Sequence, residues 1–311
     1  MLAATSAAPG QVLGAMPPRW ADVTVERVAI NAVMAGCRPE YLPIVLAAIS
    51  AFIQDEFNPY TIQATTNPAG PALIVNGPIA GELEINCGYN ALGQGWRANA
   101  TIGRAVRLCL VNIGGAFPGT LDRATQGYPG KYTFCFAENE VLSPWEPLHV
   151  ERGFAATENV VSVFQATGTL NILDAASTNG TAVLTTIAAS MTAPGTNNMQ
   201  FERGEALLIL GPEHAATIAR DSLSKEDVKR FLHLNARRRA SDFPPELRDL
   251  LTRWRSNELK TLTDTTPVPL TEKWEQIVVV VAGGAGSHST FVPGFSDGWL
   301  VSRSIDQWSS S

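Results

Sequence analysis

The chain has 311 residues, of which 45% are apolar and 17% charged, and a formal net charge of −6. This composition provides enough apolar material for a core, so it excludes a disordered chain, a collagen-like chain and a small scaffold held by disulfides. The pI near 5.3 leaves no general positive field for a nucleic-acid backbone, and no apolar run reaches the ~18 residues of a membrane helix. Residues 1–10 also lack the basic start and apolar stretch of a signal peptide. We therefore expect a cytoplasmic protein whose partner is a small-molecule substrate, with no nucleic-acid and no membrane partner.

Residues 1–56 are predicted to form an N-terminal helical segment. Apolar residues recur at helical spacing from Thr24 to Gly36, where Asp22 or Thr24 can cap the start and Gly36 can end the helix. A second helix is predicted to begin at Pro39, because proline is favoured in a first helical turn. The two helices are therefore separated by a tight junction.

Residues 57–311 are predicted to form an α/β body, which could be continuous with the helical segment as one domain. Three short apolar runs in this body lead into glycine, which is typical of strands buried on both faces that end at a ligand-binding edge. These runs and the turns after them are Leu73–Pro78, Leu207–Pro212 and Ile277–Ser289. The predicted fold class is therefore α/β, with a mixed or mostly parallel sheet, helices packed on it, and clustered glycine-rich strand-to-helix turns at the site. Further predicted elements are a helix at 97–112, strands at 132–137 and 160–165, and a helix around 182–191.

The last third of the chain carries its own helix signals. Ser224, followed three residues later by Asp227, indicates a capped helix, which we expect to end in Arg237–Arg239. The Pro244–Pro245 pair opens another short helix. The polar stretch 257–271 is predicted to be a linker or a surface excursion.

Cys37 is the first candidate nucleophile. It lies between the two predicted N-terminal helices, where unpaired backbone N–H groups and the positive end of the second helix dipole favour a thiolate. Arg38 beside it adds a positive charge, so we expect the pKa of Cys37 to be lowered. The alternative is that Cys37 fills the helix junction, as buried free cysteines commonly do.

A second group of candidate residues follows the predicted strand at 132–137. Cys135 lies within that strand, Glu138 and Glu140 follow it, and His149 comes soon after. A thiol, carboxylates and an imidazole are the groups that acid–base and nucleophilic catalysis use. The alternative is a packed structural strand. Cys87, in a polar turn, is a further candidate metal ligand.

Glycine-flanked turns provide the candidate substrate-binding residues. Trp96 and Arg97 follow two glycines at a predicted helix start, where a guanidinium and free N–H groups can hold a carboxylate or phosphate. The turn after the third apolar run offers backbone N–H groups to an anion or a developing oxyanion. The predicted substrate-binding residues are Arg38, Asn76, Trp96, Arg97, His214, Gly283, Gly284 and Ser287, and His288 is a further catalytic candidate. For His214 and His288, the alternative is a structural partner at a helix start.

Four stretches of the chain carry a resemblance to a known family. They are Asn31–Tyr41 (NAVMAGCRPEY), Gly95–Arg104 (GWRANATIGR), Ser143–His149 (SPWEPLH) and Val280–Gly284 (VVAGG). Together they make most of the chain resemble an uncharacterised bacterial family associated with Sec-Gly-Ser-Cys (UGSC) selenoprotein-like domains. The resemblance implies thiol or selenol redox chemistry. Because neither Sec-Gly-Ser-Cys nor Cys-Gly-Ser-Cys occurs here, it also implies that this chain corresponds to the larger companion part and that the reactive motif belongs to a UGSC-type partner.

These observations lead to three hypotheses. The first is a thiol-dependent enzyme, or enzyme subunit, that performs redox chemistry on a small polar or anionic substrate, with Cys37 as the reactive thiol and Cys135 as a resolving thiol. Glu138 or His149 would then act as acid or base. The second is a lyase or hydratase that depends on a transition metal or an iron–sulfur cluster, with ligands from Cys37, Cys135, Cys87 and His149. The third is a non-catalytic scaffold subunit of a complex with a UGSC-type partner, and a homo-oligomer is compatible with all three.

Overall fold

The computed structural model describes residues 1–201, 204–255, 259–295 and 297–309. Its α-helices are α1 (Val25–Ala35), α2 (Leu42–Phe52), α3 (Pro59–Gln63), α4 (Ile79–Glu82), α5 (Arg97–Asn112), α6 (Leu148–Glu151), α7 (Gly180–Ser190), α8 (Asn197–Gln200), α9 (Pro212–Arg220), α10 (Lys225–Asn235) and α11 (Pro245–Trp254). Its strands are β1 (Val12–Met16), β2 (Ala21–Thr24), β3 (Gly70–Asn76), β4 (Cys135–Ala137), β5 (Val160–Ala166), β6 (Leu170–Leu173), β7 (Ala206–Leu210), β8 (Arg237–Arg239), β9 (Pro267–Pro269), β10 (Ile277–Val281), β11 (His288–Pro293) and β12 (Val301–Ser304). Within these ranges, no helix is both long and apolar enough to cross a membrane.

Local signals in the sequence set several of the helix ends. The Thr24 hydroxyl accepts a hydrogen bond from Arg27 N at 3.2 Å, and Gly36 ends α1 with a φ of 86°, a left-handed conformation that glycine adopts most easily. Ser224 and Asp227 form the predicted capping box at the start of α10. The helix α5 has the predicted bounds, which confirms that its amphipathic spacing was sufficient to define it.

Two four-stranded sheets of the same design form the centre of the molecule. The first has the strand order β4-β3-β5-β12 and the second has the order β10-β7-β11-β6. In each sheet the first two strands are parallel and the remaining pairs are antiparallel. The predicted α/β class with a mixed sheet is therefore confirmed, but the three glycine-ending strands β3, β7 and β10 are divided between two sheets.

We take residues 1–176 and 177–311 as the two halves of the chain. Each sheet then receives one outer strand from the half that does not supply its other three strands. The strand β6 follows β5 closely in sequence but pairs with β11 in the second sheet, and β12 follows β11 but pairs with β5 in the first. The exchange occurs where β5 and β11 end side by side, since Ala166 and Gly294 form an antiparallel bridge and Thr167 N donates to Pro293 O at 2.9 Å. Each sheet is therefore complete only when both halves are present.

Strand alternation divides the interior into three cores. In β3, Leu73 and Val75 face a core shared with α1, α2 and α5, whereas Ala72 and Ile74 face the second sheet. The second sheet packs its other face on α7, α9, α10 and α11. The layers are therefore helices, sheet, sheet and helices, and the N-terminal helices α1 and α2 belong to the first outer layer.

Three sequence predictions about elements need correction. The triplet Arg237–Arg239 does not end a helix: α10 stops at Asn235, and the triplet forms β8, which pairs with β9. The strand predicted at 132–137 is shorter, and β4 begins only at Cys135. The turn at Gly283 leads into β11 rather than into a helix. The predicted linker 257–271 contains β9, and its first two residues lie outside the described ranges.

Candidate functional site

The carboxyl ends of β3 and β4 bring an amide and two carboxylates together. Asn76 is the last residue of β3, and Glu138 and Glu140 follow β4, which runs parallel beside it. The Asn76 amide donates from Nδ2 to Glu138 Oε2 at 2.7 Å and to Glu140 Oε1 at 2.9 Å. Gly77 N donates to the same Glu140 oxygen at 2.8 Å. The pairing of two parallel strands thus places residues 62 and 64 positions apart in hydrogen-bonding distance.

Glu138 is the buried carboxyl of this group, with 2% of its surface exposed. Its Oε2 also accepts a bond from Leu148 N, at the start of α6, at 2.8 Å. Burial raises the pKa of Glu138, and the positive charge of Lys225 and the bonds from Leu148 and Asn76 only partly oppose this. Burial therefore favours the neutral, proton-bearing form of this side chain.

His149 lies in α6 and is completely buried. Its Nε2 is 3.4 Å from Ala156 O, and because a carbonyl oxygen can only accept, this contact favours the tautomer with the proton on Nε2. Nδ1 then carries a lone pair and lies 3.9 Å from Glu140 Oε1. Glu140 Oε1 and His149 Nδ1 are then two acceptors that face each other, and one proton between them would let both take part in a hydrogen bond.

Three buried acceptor atoms in this group have no hydrogen-bond partner among the residues that the structure describes. They are Asn76 Oδ1, Glu138 Oε1 and His149 Nδ1. Such atoms are rare in folded proteins, because each unmade bond costs about 1–3 kcal/mol. Glu140 connects the group to solvent, since 27% of its side chain is exposed. We refer to Asn76, Glu138, Glu140 and His149 as the acceptor cluster.

Backbone hydrogen bonds join the acceptor cluster to the edge of the second sheet. Asn139 N, between the two glutamates, donates to Val281 O at 2.7 Å, and Gly283 N donates to Cys87 O at 2.9 Å. The half-buried Cys87 lies close enough to Glu140 for the carboxylate to contribute to its raised pKa, although burial is the larger cause. Because β10 and β7 are parallel neighbours, the turn at Gly211 follows beside Gly283. The three glycine turns are thus connected along one edge, although two sheets supply them.

The turn from Gly283 to His288 lines a cavity of about 590 Å³. Gly283 and Gly284 lie in its wall, His288 is exposed there, and its Nδ1 is 3.0 Å from Asn171 Oδ1. Ser287 is half-buried and uses its carbonyl to accept a bond from Asp174 N. Since β11 rather than a helix follows this turn, no helix dipole adds to the effect of its N–H groups. The segment 91–93 also lines a second cavity of about 530 Å³ that adjoins this one.

His214 has a structural partner at each ring nitrogen. Its Nδ1 lies 2.8 Å from Ser289 Oγ and its Nε2 lies 3.1 Å from Asp174 O, and only 3% of the residue is exposed. Ser289 Oγ also accepts a bond from Gly211 N at 3.2 Å. The imidazole therefore joins α9, β11 and the segment after β6, which matches the structural alternative for this residue.

The expectation of a lowered pKa for Cys37 is wrong. The residue is buried, and its Sγ donates a hydrogen bond to Thr101 O at 3.3 Å. Burial raises the pKa of Cys37 to about 11, against the opposing effects of the Thr101 bond and of the positive charge of Arg97. The junction between α1 and α2 removes the thiol from water, and this effect exceeds that of the nearby charges.

The basic and aromatic residues near Cys37 do not form an anion clamp with the glycine turns. Arg97 donates from Nε and Nη2 to Gly36 O, at 3.1 and 2.9 Å, and so holds the end of α1 against the start of α5. Arg38 is exposed, and Trp96 is 42% exposed beside the start of α5. These three side chains surround the helix junction rather than the acceptor cluster.

The predicted metal ligands do not come together as a set. Among the residues that the structure describes, no three His, Cys, Asp or Glu side chains are placed to hold one metal ion. Cys135 is buried in β4 on the side of the first helical layer, where burial raises its pKa. Cys87 and His149 lie near Glu140 instead. The thiols therefore belong to two different places in the fold.

The sequence grouped Glu138, Glu140 and His149 with Cys135, but Asn76 was predicted only as a separate substrate-binding residue. The signal that could have joined Asn76 to the group is the pairing of β3 with β4, because it alone brings Asn76 to the glutamates. Gly77, whose N–H holds Glu140, was also missed as a functional group. Comparison of the chain with family models, curated proteins and solved structures finds no match.

Proposed function

We propose that this chain is an enzyme that catalyses proton transfer on a small polar substrate at the acceptor cluster. The observation that carries the proposal is the set of three buried acceptors without donors beside a carboxylate that reaches solvent. A fold that leaves such atoms unpaired loses stability, and functional sites are where proteins accept that loss. Proton transfer by positioned carboxylates and imidazoles is the chemistry that these side chains perform best.

Each side chain of the cluster has a distinct part in this proposal. Glu140 is the general base, because it is accessible and two N–H donors hold its carboxylate in place. His149 accepts the abstracted proton from Glu140 at Nδ1 and returns it through Glu140 to the product, so the cluster gains and loses one proton per turnover. Glu138, whose pKa burial raises, donates a hydrogen bond to the substrate but keeps its proton, and Asn76 fixes the positions of both carboxyl groups. Two carboxyl groups in unequal surroundings are a recurring basis for acid–base catalysis.

The cluster also limits the class of substrate. Asn76 Oδ1 and His149 Nδ1 are unpaired acceptors, so the complementary groups are donors such as hydroxyl, amine or amide N–H groups. The accessible carboxylate of Glu140 would repel an anion. We therefore favour a neutral or cationic hydroxy or amino compound over the anionic substrate considered from the sequence.

Thiol chemistry at Cys37 is less well supported than proton transfer. With its pKa raised to about 11, only about one Cys37 in ten thousand would be a thiolate near pH 7. The four cysteines are free, which fits a reducing compartment such as the cytoplasm.

The test is an exchange assay in deuterated water with a panel of small hydroxy and amino carbonyl compounds, whose C–H bonds next to the carbonyl are acidic. Mass spectrometry would follow stable deuterium incorporation at carbon, and turnover, for each compound after back-exchange of the O–H and N–H positions. We expect Glu140→Gln to lower the rate of an active compound by about 10²- to 10⁴-fold, because the general base is lost. The exposed Glu146 supplies a matched control, so Glu146→Gln should retain the wild-type rate, and so should Cys37→Ser. An unchanged rate in Glu140→Gln, or a rate abolished by Cys37→Ser, would overturn the proposal.

A second measurement needs no substrate. In protein labelled with ¹⁵N-histidine, Glu140→Gln should shift the Nδ1 resonance of His149, because the facing carboxylate becomes a neutral amide. Glu146→Gln should leave this resonance in place. An identical spectrum for Glu140→Gln and wild type would contradict the contact on which the proton relay depends.

A further inference from the structure

A separate cavity of about 630 Å³ lies beside the second half of α5. Its charged lining residues are Arg104, Arg107, Asp122, Arg123 and Lys131. Four cations and one carboxylate give this cavity an excess of positive charge in a chain whose net charge is −6. Such a concentration of one sign in a concave surface attracts ions of the other sign.

Arg107 is the buried cation of the cavity, with 7% of its surface exposed. Its Nε donates to Lys131 O at 2.9 Å, but its Nη2 is buried and has no hydrogen-bond partner within the described part of the chain. Gly70 leaves room for this group, since a Cβ there would lie 2.8 Å from Nη2. A guanidinium has five N–H donors and strongly prefers a carboxylate or phosphate when it is removed from water. The folded chain therefore leaves part of the bonding capacity of Arg107 unused.

Among the described residues, the one acidic side chain that lines this cavity is already paired with a lysine. Asp122 Oδ2 pairs with Lys131 Nζ at 2.7 Å, and its Oδ1 accepts a bond from Ala124 N at 3.0 Å. Both members of that ion pair are largely buried, with 13% and 11% of their side chains exposed. Asp122 therefore neutralises Lys131, and three arginine charges remain without a carboxylate in the cavity wall.

We propose that this cavity binds the phosphate group of a small phosphate monoester. A dianion matches the excess charge better than a single carboxylate does, and the planar fork of Arg107 can bond two phosphate oxygens. Tyr128, Pro129 and Tyr132 also line the cavity, and Tyr132 is 70% exposed, so they offer an apolar surface to the organic part of the ligand.

This binding site is distinct from the acceptor cluster. The guanidinium of Arg107 packs at Gly70, the first residue of β3, whereas Asn76 is the last. Six residue steps along a strand separate the two ends by about 20 Å. The phosphate site is therefore a second, regulatory or anchoring site, and it stands or falls independently of the proton-transfer proposal.

The test is isothermal titration at low salt with two probes, inorganic phosphate and phenyl phosphate. We expect both to bind the wild-type chain, phenyl phosphate the more tightly. Arg107→Met should weaken binding by about 10- to 100-fold, the usual effect of losing a charge-assisted hydrogen bond. The exposed Arg239, in β8, supplies the control, and Arg239→Gln should bind as wild type does.

A second variant keeps the test decisive if Arg107→Met does not fold. Arg104 is half-buried and Arg123 is exposed, so the double change to glutamine should leave the fold intact and still weaken binding by about 10-fold or more. The proposal is wrong if the wild-type chain binds neither probe. It is also wrong if a folded Arg107→Met or the double variant binds both probes as tightly as wild type does.

Discussion

Asn76 positions both carboxyl groups of the acceptor cluster, but one of its own side-chain atoms has no hydrogen bond. Its Nδ2 bonds both carboxyl groups of the acceptor cluster, while its Oδ1 has no partner. An asparagine side chain can make four hydrogen bonds. Asn76 has no exposed surface and its Oδ1 has no donor, so it can still accept a hydrogen bond. A substrate that supplies the missing donor would gain that bond without any competing water.

At this scale we predict that Glu138→Gln stabilises the protein at higher pH. Because the folded-state pKa of Glu138 is raised, its contribution to stability is fully present below the unfolded pKa of about 4.3 and is lost as the pH rises through the folded pKa. The amide removes that loss, so the free energy of unfolding should exceed that of wild type by about 1–2 kcal/mol near pH 8. Near pH 5 the advantage should be smaller.

Urea midpoints at the two pH values would measure this difference. Glu146→Gln, at an exposed position, should show no such dependence on pH. A difference between Glu138→Gln and wild type that is the same at both pH values would mean that burial does not govern the protonation of Glu138.

Candidate residues could be found from the sequence only where the groups around them are also close in the chain. Glu138 and His149 lie close together in the chain, so their density was visible there. The pKa of Cys37 was predicted in the wrong direction because the prediction rested on Arg38 and the helix start beside it, whereas α5, whose Thr101 is 64 residues away, packs against the thiol. Arg107 was overlooked, since arginine in an amphipathic helix is usually exposed.

At the level of elements, the candidate site depends on the glycine turns that follow β3 in the first sheet and β7 in the second. Gly77 has a φ of 92°, and a side chain there would overlap Glu158 O. Gly211 has an ordinary backbone conformation, but a Cβ would overlap the carbonyl oxygen of His288 in β11. At Gly77 a left-handed conformation requires glycine, and at Gly211 the close approach of another strand does.

We predict that Gly211→Ala destabilises the fold by about 1–3 kcal/mol, because the added methyl group must displace β11 or α9. Gly168 offers a matched control, since a Cβ there meets no atom within 4 Å, and Gly168→Ala should change stability by less than about 0.5 kcal/mol. Chemical denaturation monitored by circular dichroism would compare the two. Equal stability of both variants would show that the junction can move without cost.

Helices could be predicted where the sequence signal, such as amphipathic spacing or a capping residue, lay within the helix itself. The amphipathic spacing of α5 and the cap of α10 were sufficient, because both depend on residues a few positions apart. The strand β8 was mistaken for a helix end because it exists only through pairing with β9, about 30 residues later. The turn at Gly283 resembled a helix start for the same reason, since its continuation is fixed by pairing with β6 and β7.

At the scale of the whole molecule, the exchanged outer strands make the two halves interdependent. The first sheet lacks β12 without the second half, and the second sheet lacks β6 without the first. The core between the sheets also needs side chains from both, such as Ile74 and Val280. The two halves of the chain therefore form one cooperative unit. Their sheets have the same strand arrangement, but neither half contains a complete sheet.

We predict that fragments 1–176 and 177–311, which separate β6 from β11 and β12 from β5, do not fold separately but associate when co-expressed. Each fragment alone exposes an unpaired strand edge and half of the central core, which favours aggregation. Size-exclusion chromatography and thermal unfolding would test the separate and combined fragments. A cooperative unfolding transition in either fragment alone would contradict the interdependence of the halves.

The exchange of strands also has a consequence during synthesis. β5 leaves the ribosome about 135 residues before its outer partner β12. At about 5–20 residues per second, one edge of β5 waits about 7–27 s for that partner. Through this interval the nascent chain carries an unpaired apolar strand that neighbouring chains could join. Slower translation therefore lengthens the time for which this edge of β5 is open to association with other chains.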